Sequence, residues 1–372
     1  MSRSTEQRTR EYDPAMAASG AEHGSEYLWF GSDDPRCRLD GVRFRSRGGL
    51  LRRLPDDPEL PEAVRHLAAH TSGLSLGFVT DTGRLRLKVK LYSRSRHDHM
   101  PATGDAGFDL YWKTDFGWKF LAVTRISLDK DDYEVDLLQG IPRRPRELLL
   151  NYPLYSGVES VEIGIDPDAT LAPPPERDDP RPVVIYGSSI TQGACASRPG
   201  QTFVNTLSRR LGFEFLNYGF SGNGKGEPSV IEYLARIPDP VMFILDYEAN
   251  AGFDGIRATL EAAIRRLRRS HAAVPIVVLT QIPWGRELLE NEGDMKRRSG
   301  GIQKALEFQK DLVERLRGEG DRRLWLIEGL GLTGEDWDNS LVDGVHPNDL
   351  GFRRMADALE SRLRDILSSC RS

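Results

Sequence analysis

Four short blocks in the second half of the chain hold residue types that together could break an acyl bond. The first is Gly187-Ser188-Ser189-Ile190-Thr191-Gln192-Gly193. A Gly lets the backbone turn sharply, and a Ser on such a turn before a helix exposes its hydroxyl beside parallel backbone amides. The same pattern also makes an ordinary helix cap. The last block is Asp343-Gly344-Val345-His346-Pro347-Asn348. A carboxylate three residues before an imidazole can fix its tautomer and stabilise its cation, as a general base requires. The alternative is a polar pair capping the final helix. His346 is the only histidine after His271.

Two blocks between them could serve a developing negative charge. The run Gly219-Phe220-Ser221-Gly222-Asn223-Gly224-Lys225-Gly226 nearly spells a phosphate-binding loop, but Gly226 stands where the magnesium-binding hydroxyl would be. Nucleotide binding is therefore not expected, and a backbone N–H at Gly222 facing an oxyanion is the other reading. In Asp246-Tyr247-Glu248-Ala249-Asn250, the Asn250 amide can donate without adding charge, or bond its own loop.

The elements that would position these blocks are legible around them. Apolar runs at 183–186, 213–218, 241–245, 275–280 and 324–327 alternate with amphipathic stretches, clearest at 255–269, 302–316 and 352–367. That pattern implies a parallel sheet covered by helices on both faces, with ligands beyond the carboxyl ends of the strands. Ahead of it, residues 166–182 carry six prolines, which suit an extended connector rather than a helix or central strand. The expected division is thus 1–165, a 166–182 linker, and 183–372. In the first part Leu85, Leu87, Val89 and Leu91 alternate with charged residues, and Val161, Ile163 and Ile165 repeat the period. Phe116 to Phe120 alternates as well. An antiparallel β-sandwich follows, with one short helical pattern at 61–69.

Composition narrows the classes. Lys and Arg total 51 against 56 Asp and Glu, a net charge of −5, so no basic bias points to nucleic acid. No apolar stretch is long enough to span a membrane, and residues 1–21 lack the apolar region of an export signal. Three scattered cysteines form neither a disulfide framework nor a metal pattern, so a cytoplasmic address is expected.

Taken together, the four blocks resemble those of the SGNH (GDSL-type) hydrolases, which carry Ser, Gly, Asn and D-x-x-H in this order on a flavodoxin-like sheet. The resemblance covers 183–369. It implies Ser189 as nucleophile, His346 as base and Asp343 as its orienting partner, with the Ser189 and Gly222 amides and the Asn250 side chain as oxyanion donors. Two departures stand out: Ser188 replaces the usual Asp, and Asn250 lies outside the usual G-x-N-D spacing. Gly107-Phe108-Asp109-Leu110-Tyr111 is similar to the G-x-D-L-Y segment of a jelly-roll-like β-domain that precedes one branch of the family.

The resemblance implies acyl transfer through an acyl-enzyme, from an ester or thioester donor to a hydroxyl of a bulky small molecule. The layout is similar to acyltransferases of tetracycline-type antibiotic biosynthesis, which implies an aryl-CoA such as salicylyl-CoA as co-substrate. No other cofactor and no metal are expected. The alternatives are a GDSL-type esterase of small or carbohydrate-linked esters and, in another class, a non-catalytic carbohydrate-binding protein. Three further features are set aside or left open. His97-Asp98-His99 reads as a solvated loop rather than a metal site. Cys195 reads as a packing residue. Trp284 either lines an acyl pocket or anchors a surface loop.

Overall fold

The computed structural model of the protein describes residues 26–45, 50–126 and 130–370. The first half is strand-rich. Its strands are β1 (Leu28–Gly31), β2 (Arg38–Asp40), β3 (Phe44–Arg45), β4 (Leu51–Arg52), β5 (Ser75–Thr80), β6 (Leu85–Ser93), β7 (Asp109–Thr114), β8 (Gly117–Val123), β9 (Asp132–Leu138), β10 (Arg146–Asn151), β11 (Gly157–Ile165) and β12 (Leu171–Ala172). Two antiparallel sheets result, one in the order β1-β11-β6-β9 and one in the order β12-β5-β10-β7-β8, with β2 also on β5; β3 and β4 pair as a separate ribbon.

Period-two alternation builds the sandwich. Leu85, Leu87, Val89 and Leu91 of β6 are buried with Ile163 of β11 against Phe78, Leu148 and Leu150 of the opposite sheet, while Lys88 and Lys90 face outward. Arg86 breaks the rule by being buried, and Asp136 answers its charge at 2.6 Å. The alternation at Phe116 to Phe120 does not bury a face. β8 is an edge strand, and Phe116 in the turn before it is exposed. The short helical pattern forms the helix Glu62–Leu67.

The second half is a five-stranded parallel sheet of β13 (Val183–Gly187), β14 (Phe215–Gly219), β15 (Met242–Asp246), β16 (Ile276–Leu279) and β17 (Leu324–Ile327), in the order β14-β13-β15-β16-β17. Val183 and Ile185 pack with helices Phe203–Leu211 and Asp349–Ser369 on one face. Val184 and Tyr186 pack with Pro228–Ala235, Glu248–Ser270 and Gly300–Gly318 on the other. Burial on both faces explains why these runs are continuously apolar. Strand order reverses beside β13, and that crevice is where such sheets bind ligands.

The proline-rich segment is strapped to the sandwich. Its residues Leu171–Ala172 form the β12 edge of one sheet. Arg38 donates to the Pro175 carbonyl at 2.7 Å, and Arg177 pairs with Asp40 at 2.8 Å.

The two halves meet through the G-x-D-L-Y segment. The Asp109 carboxylate at the start of β7 accepts the Gly200 N–H at 2.8 Å and an Arg198 N–H at 3.0 Å, both from the second half, and Asn151 Nδ2 at 2.8 Å. Gly200 has no room for a side chain here, since a Cβ would lie 2.3 Å from the Tyr111 ring. Burial raises the Asp109 pKa despite the pull of Arg198.

Candidate active site

β13 ends at Gly187, where a Cβ would collide with Thr191 Oγ1 at 2.0 Å. The tight turn leads directly into the single helical turn Ser189–Gln192. Its two serines have different work. Ser188 is the N-cap, its Oγ accepting the Ile190 N–H at 3.2 Å. Ser189 opens the turn, and its Oγ lies 2.8 Å from His346 Nε2.

His346 sits on the turn before the helix Asp349–Ser369. Its Nδ1 is 2.7 Å from Asp343 Oδ2, while Asp343 Oδ1 accepts the His346 and Val345 N–H groups at 2.8 and 3.0 Å. Burial works to raise the Asp343 pKa, but these N–H groups and the imidazole outweigh it and hold the carboxyl below its ordinary value. Asp343 therefore stays a carboxylate, suited to accept the imidazole N–H. A hydroxyl, an imidazole and a carboxylate thus form one hydrogen-bonded chain across elements more than 150 residues apart.

The loop after β14 lies over the end of β13. The Phe220 N–H donates to the Gly187 carbonyl at 3.0 Å, and a Cβ on Gly224 would come within 2.0 Å of that oxygen. This packing leaves no room for a side chain at Gly224. Gly222 has a φ of +67° with open space where a side chain would project. Among the described residues, neither the Ser189 nor the Gly222 N–H donates to a protein acceptor. Asn250 follows β15 on a helical turn that breaks at Gly252, whose φ is 60°. Its Nδ2 donates to the Phe220 carbonyl at 3.1 Å, which ties it to the same loop and leaves its second amide hydrogen for another acceptor.

The first domain buttresses this loop with buried side chains. Arg53 donates to the Asn217 carbonyl at 3.1 Å and stacks over Phe220. Gln192 accepts the Ser221 N–H at 3.0 Å, and its Nε2 reaches His70 Nδ1 at 3.1 Å and the Leu154 carbonyl at 3.1 Å. Burial, aided by Arg53, depresses His70 to about 3, so it is neutral. Sequence reasoning missed Arg53, His70 and Gln192, because nothing local marks a residue whose partner is in another domain. Asp246, the first residue of the third block, is buried at the end of β15. Burial pushes its carboxyl up to about 7, and Thr191 donates to it at 2.6 Å, anchoring the Ser189 turn from β15.

Three further features have defined surroundings. His97-Asp98-His99 is not a free solvated loop. His97 pairs with Asp105 at 3.2 Å and lies 5.1 Å from the Tyr155 ring, both within the first half. His99 lies 5.9 Å from the His346 ring. Cys195 is buried in the core, as a packing residue should be, and burial with the nearby Asp343 pushes its thiol up to about 12. That is unsuited to a thiolate nucleophile. Trp284 adjoins the His346 turn, since the next residue, Gly285, donates to the Gly344 carbonyl at 2.8 Å.

Residues 180–364 match the model of the GDSL-like lipase/acylhydrolase family, and residues 27–171 match the GxDLY domain found at the N-terminus of SGNH-hydrolase-type esterases. A solved protein described as a GDSL-like lipase from Bacteroides ovatus is 30% identical over 92% of this chain and 98% of its own, with a TM-score of 0.83. The chain belongs to the GDSL-like lipase/acylhydrolase family, a class of ester hydrolases and acyltransferases. The fold is also similar to that of the salicylyl-acyltransferase SsfX3 from a tetracycline biosynthetic pathway, at 19% identity over 91% of this chain and 97% of that one, TM-score 0.73. A family two carbohydrate esterase from Cellvibrio japonicus shares it at 14% identity over 92% and 98%, TM-score 0.59. No curated protein matches the chain by sequence.

Proposed function

We propose that the protein transfers acyl groups from an ester or thioester through a covalent intermediate on Ser189. The observation that carries this is the chain of 2.8 and 2.7 Å contacts from Ser189 Oγ through His346 to Asp343. In the first step Ser189 Oγ attacks the carbonyl carbon while His346 Nε2 takes its proton, and Asp343 holds the resulting imidazolium. The Ser189 and Gly222 N–H groups and the Asn250 amide receive the oxyanion, each donor worth about 3–4 kcal/mol in the transition state. His346 then protonates the departing alcohol or thiol. In the second step it takes the acceptor's proton as the acceptor oxygen attacks the acyl carbon, and returns that proton to Ser189 Oγ as the bond between Ser189 and the acyl group breaks.

The acceptor we favour is a hydroxyl of a bulky small molecule. Water at about 55 M reaches any open acyl-enzyme, so transfer needs a wall that positions the acceptor and limits water. The approach of His97, His99 and Tyr155 from the first domain supplies material for that wall. A CoA thioester is a donor suited to the expected cytoplasmic address. The likeness to SsfX3 is one of fold, so salicylyl-CoA enters as one donor of a panel, and a role in antibiotic biosynthesis follows only if that donor is used. Acetylated sugars test the esterase alternative.

The test measures how each donor partitions between free acid and ester product across hydroxylated acceptors. Ester product with saturating acceptor supports transfer. Free acid alone would leave a plain esterase. No turnover, and no labelling by a fluorophosphonate, would favour the non-catalytic carbohydrate-binding alternative.

A further inference from the structure

Cys195, His99, Asp343 and His346 each bring one ligand-type atom into a cluster whose atoms all lie within 4.8 Å of one another. They arrive from separate places: His99 from the segment after β6, Cys195 from the turn after Gln192, and the other two from the C-terminal block. Asp343 Oδ2 is the shared point, 2.7 Å from His346 Nδ1 and 4.0 Å from His99 Nε2. A plain packing role for Cys195 leaves one feature unexplained. Its φ of 70° is a left-handed conformation that a side chain adopts at a cost, and here it is kept in the buried core.

From this convergence we propose that the four residues form an inhibitory site for a thiophilic divalent cation, for which Zn2+ is the natural probe. A thiolate, imidazoles and a carboxylate in a tight group are the donor set zinc selects, and its structural sites are four-coordinate. Closing from 4.8 Å to tetrahedral spacing requires shifts of about 1 Å, small for the half-exposed His99. Binding replaces the Cys195 thiol proton, which leaves to solvent. The cation also takes the place of the proton on His346 Nδ1, and the imidazole's single proton then resides on Nε2. That nitrogen can no longer accept the Ser189 proton, so the bound metal switches the base off while bridging the two domains.

The site stands independently of the reaction, whereas the inhibition rests on the acyl-transfer proposal, so the experiment has two arms. Equilibrium dialysis of the full chain against Zn2+ should give one bound equivalent. Cys195→Ser and His99→Ala should each weaken binding at least about tenfold, a floor set by the losses seen even for outer-shell partners. In the second arm, ester cleavage falls with Zn2+ and returns with a chelator, each variant being compared with its own chelated rate. The variants keep their activity in Zn2+ at concentrations that silence the parent. If Cys195→Ser fails to fold, His99→Ala carries the test alone. No stoichiometric Zn2+ in dialysis, or binding unchanged in the variants, overturns the site. Binding that is lost in the variants without any inhibition of a working enzyme overturns the switch. An inactive chelated enzyme that still binds Zn2+ through these residues sustains the site and counts against the acyl-transfer proposal instead.

Discussion

Ser188 and Ser189 are adjacent, yet one hydroxyl is consumed by the Ile190 N–H and the other meets His346 Nε2. Geometry thus separates two residues that a Gly-Ser-Ser string leaves equivalent. The remaining members of the chain should differ in the damage they cause when removed. His346→Ala deletes the group placed to take the Ser189 proton, and kcat should fall by about 10⁶-fold. Asp343→Asn keeps a side chain of the same shape but loses the carboxylate, and should cost about 10⁴-fold. Steady-state kinetics on a chromogenic ester checks both, with near-normal turnover in His346→Ala pointing to another base. The Asp-x-x-His pairing was legible because both residues share one turn. The approach of His99 was not, because period and spacing describe one element at a time.

At the scale of elements, the parallel sheet could be read from its apolar runs, since strands buried on both faces such as Val183–Gly187 leave a continuous signature. β8 was legible as a strand but its burial was not, because edge position rather than period decides what it buries. The G-x-D-L-Y segment was recognised as a string, but its task is physical: Asp109 pins the 198–200 loop through buried hydrogen bonds. Asp109→Ala would leave the largely buried Arg198 guanidinium without its carboxylate, a change that costs about 3–5 kcal/mol when an ion pair is buried. Urea unfolding measures this. A loss below about 1 kcal/mol would mean that the segment does not hold the domains together.

For the whole molecule, the sandwich supports the reacting domain through neutral as well as charged groups. His70, depressed to about 3 by burial, is uncharged in the folded chain. Below about pH 6.5 the unfolded chain gains a proton there that the folded chain refuses. The unfolded state therefore binds more protons, and the His70 contribution, complete above pH 6.5, is lost as pH falls towards 3. Between pH 6.5 and 4.5 the loss should be about 2 kcal/mol. Unfolding curves of the parent and His70→Asn across this range test it. The variant's curve should be flatter, and parallel curves would show that His70 does not titrate in this way. The antiparallel and the parallel sheets each leave a pattern in the sequence, while the contacts between the two halves do not. Arg53, His70 and Gln192 each have a partner in the opposite half, which no local pattern marks.

The central claim is that Ser189, oriented by His346, is the atom that carries the acyl group. Intact-protein mass spectrometry after fluorophosphonate treatment tests it most directly, with peptide mapping of the modified site. One adduct on Ser189 of the parent is expected, retained in Ser188→Ala and absent in Ser189→Ala. An adduct that persists in Ser189→Ala and maps to Ser188 would contradict the account.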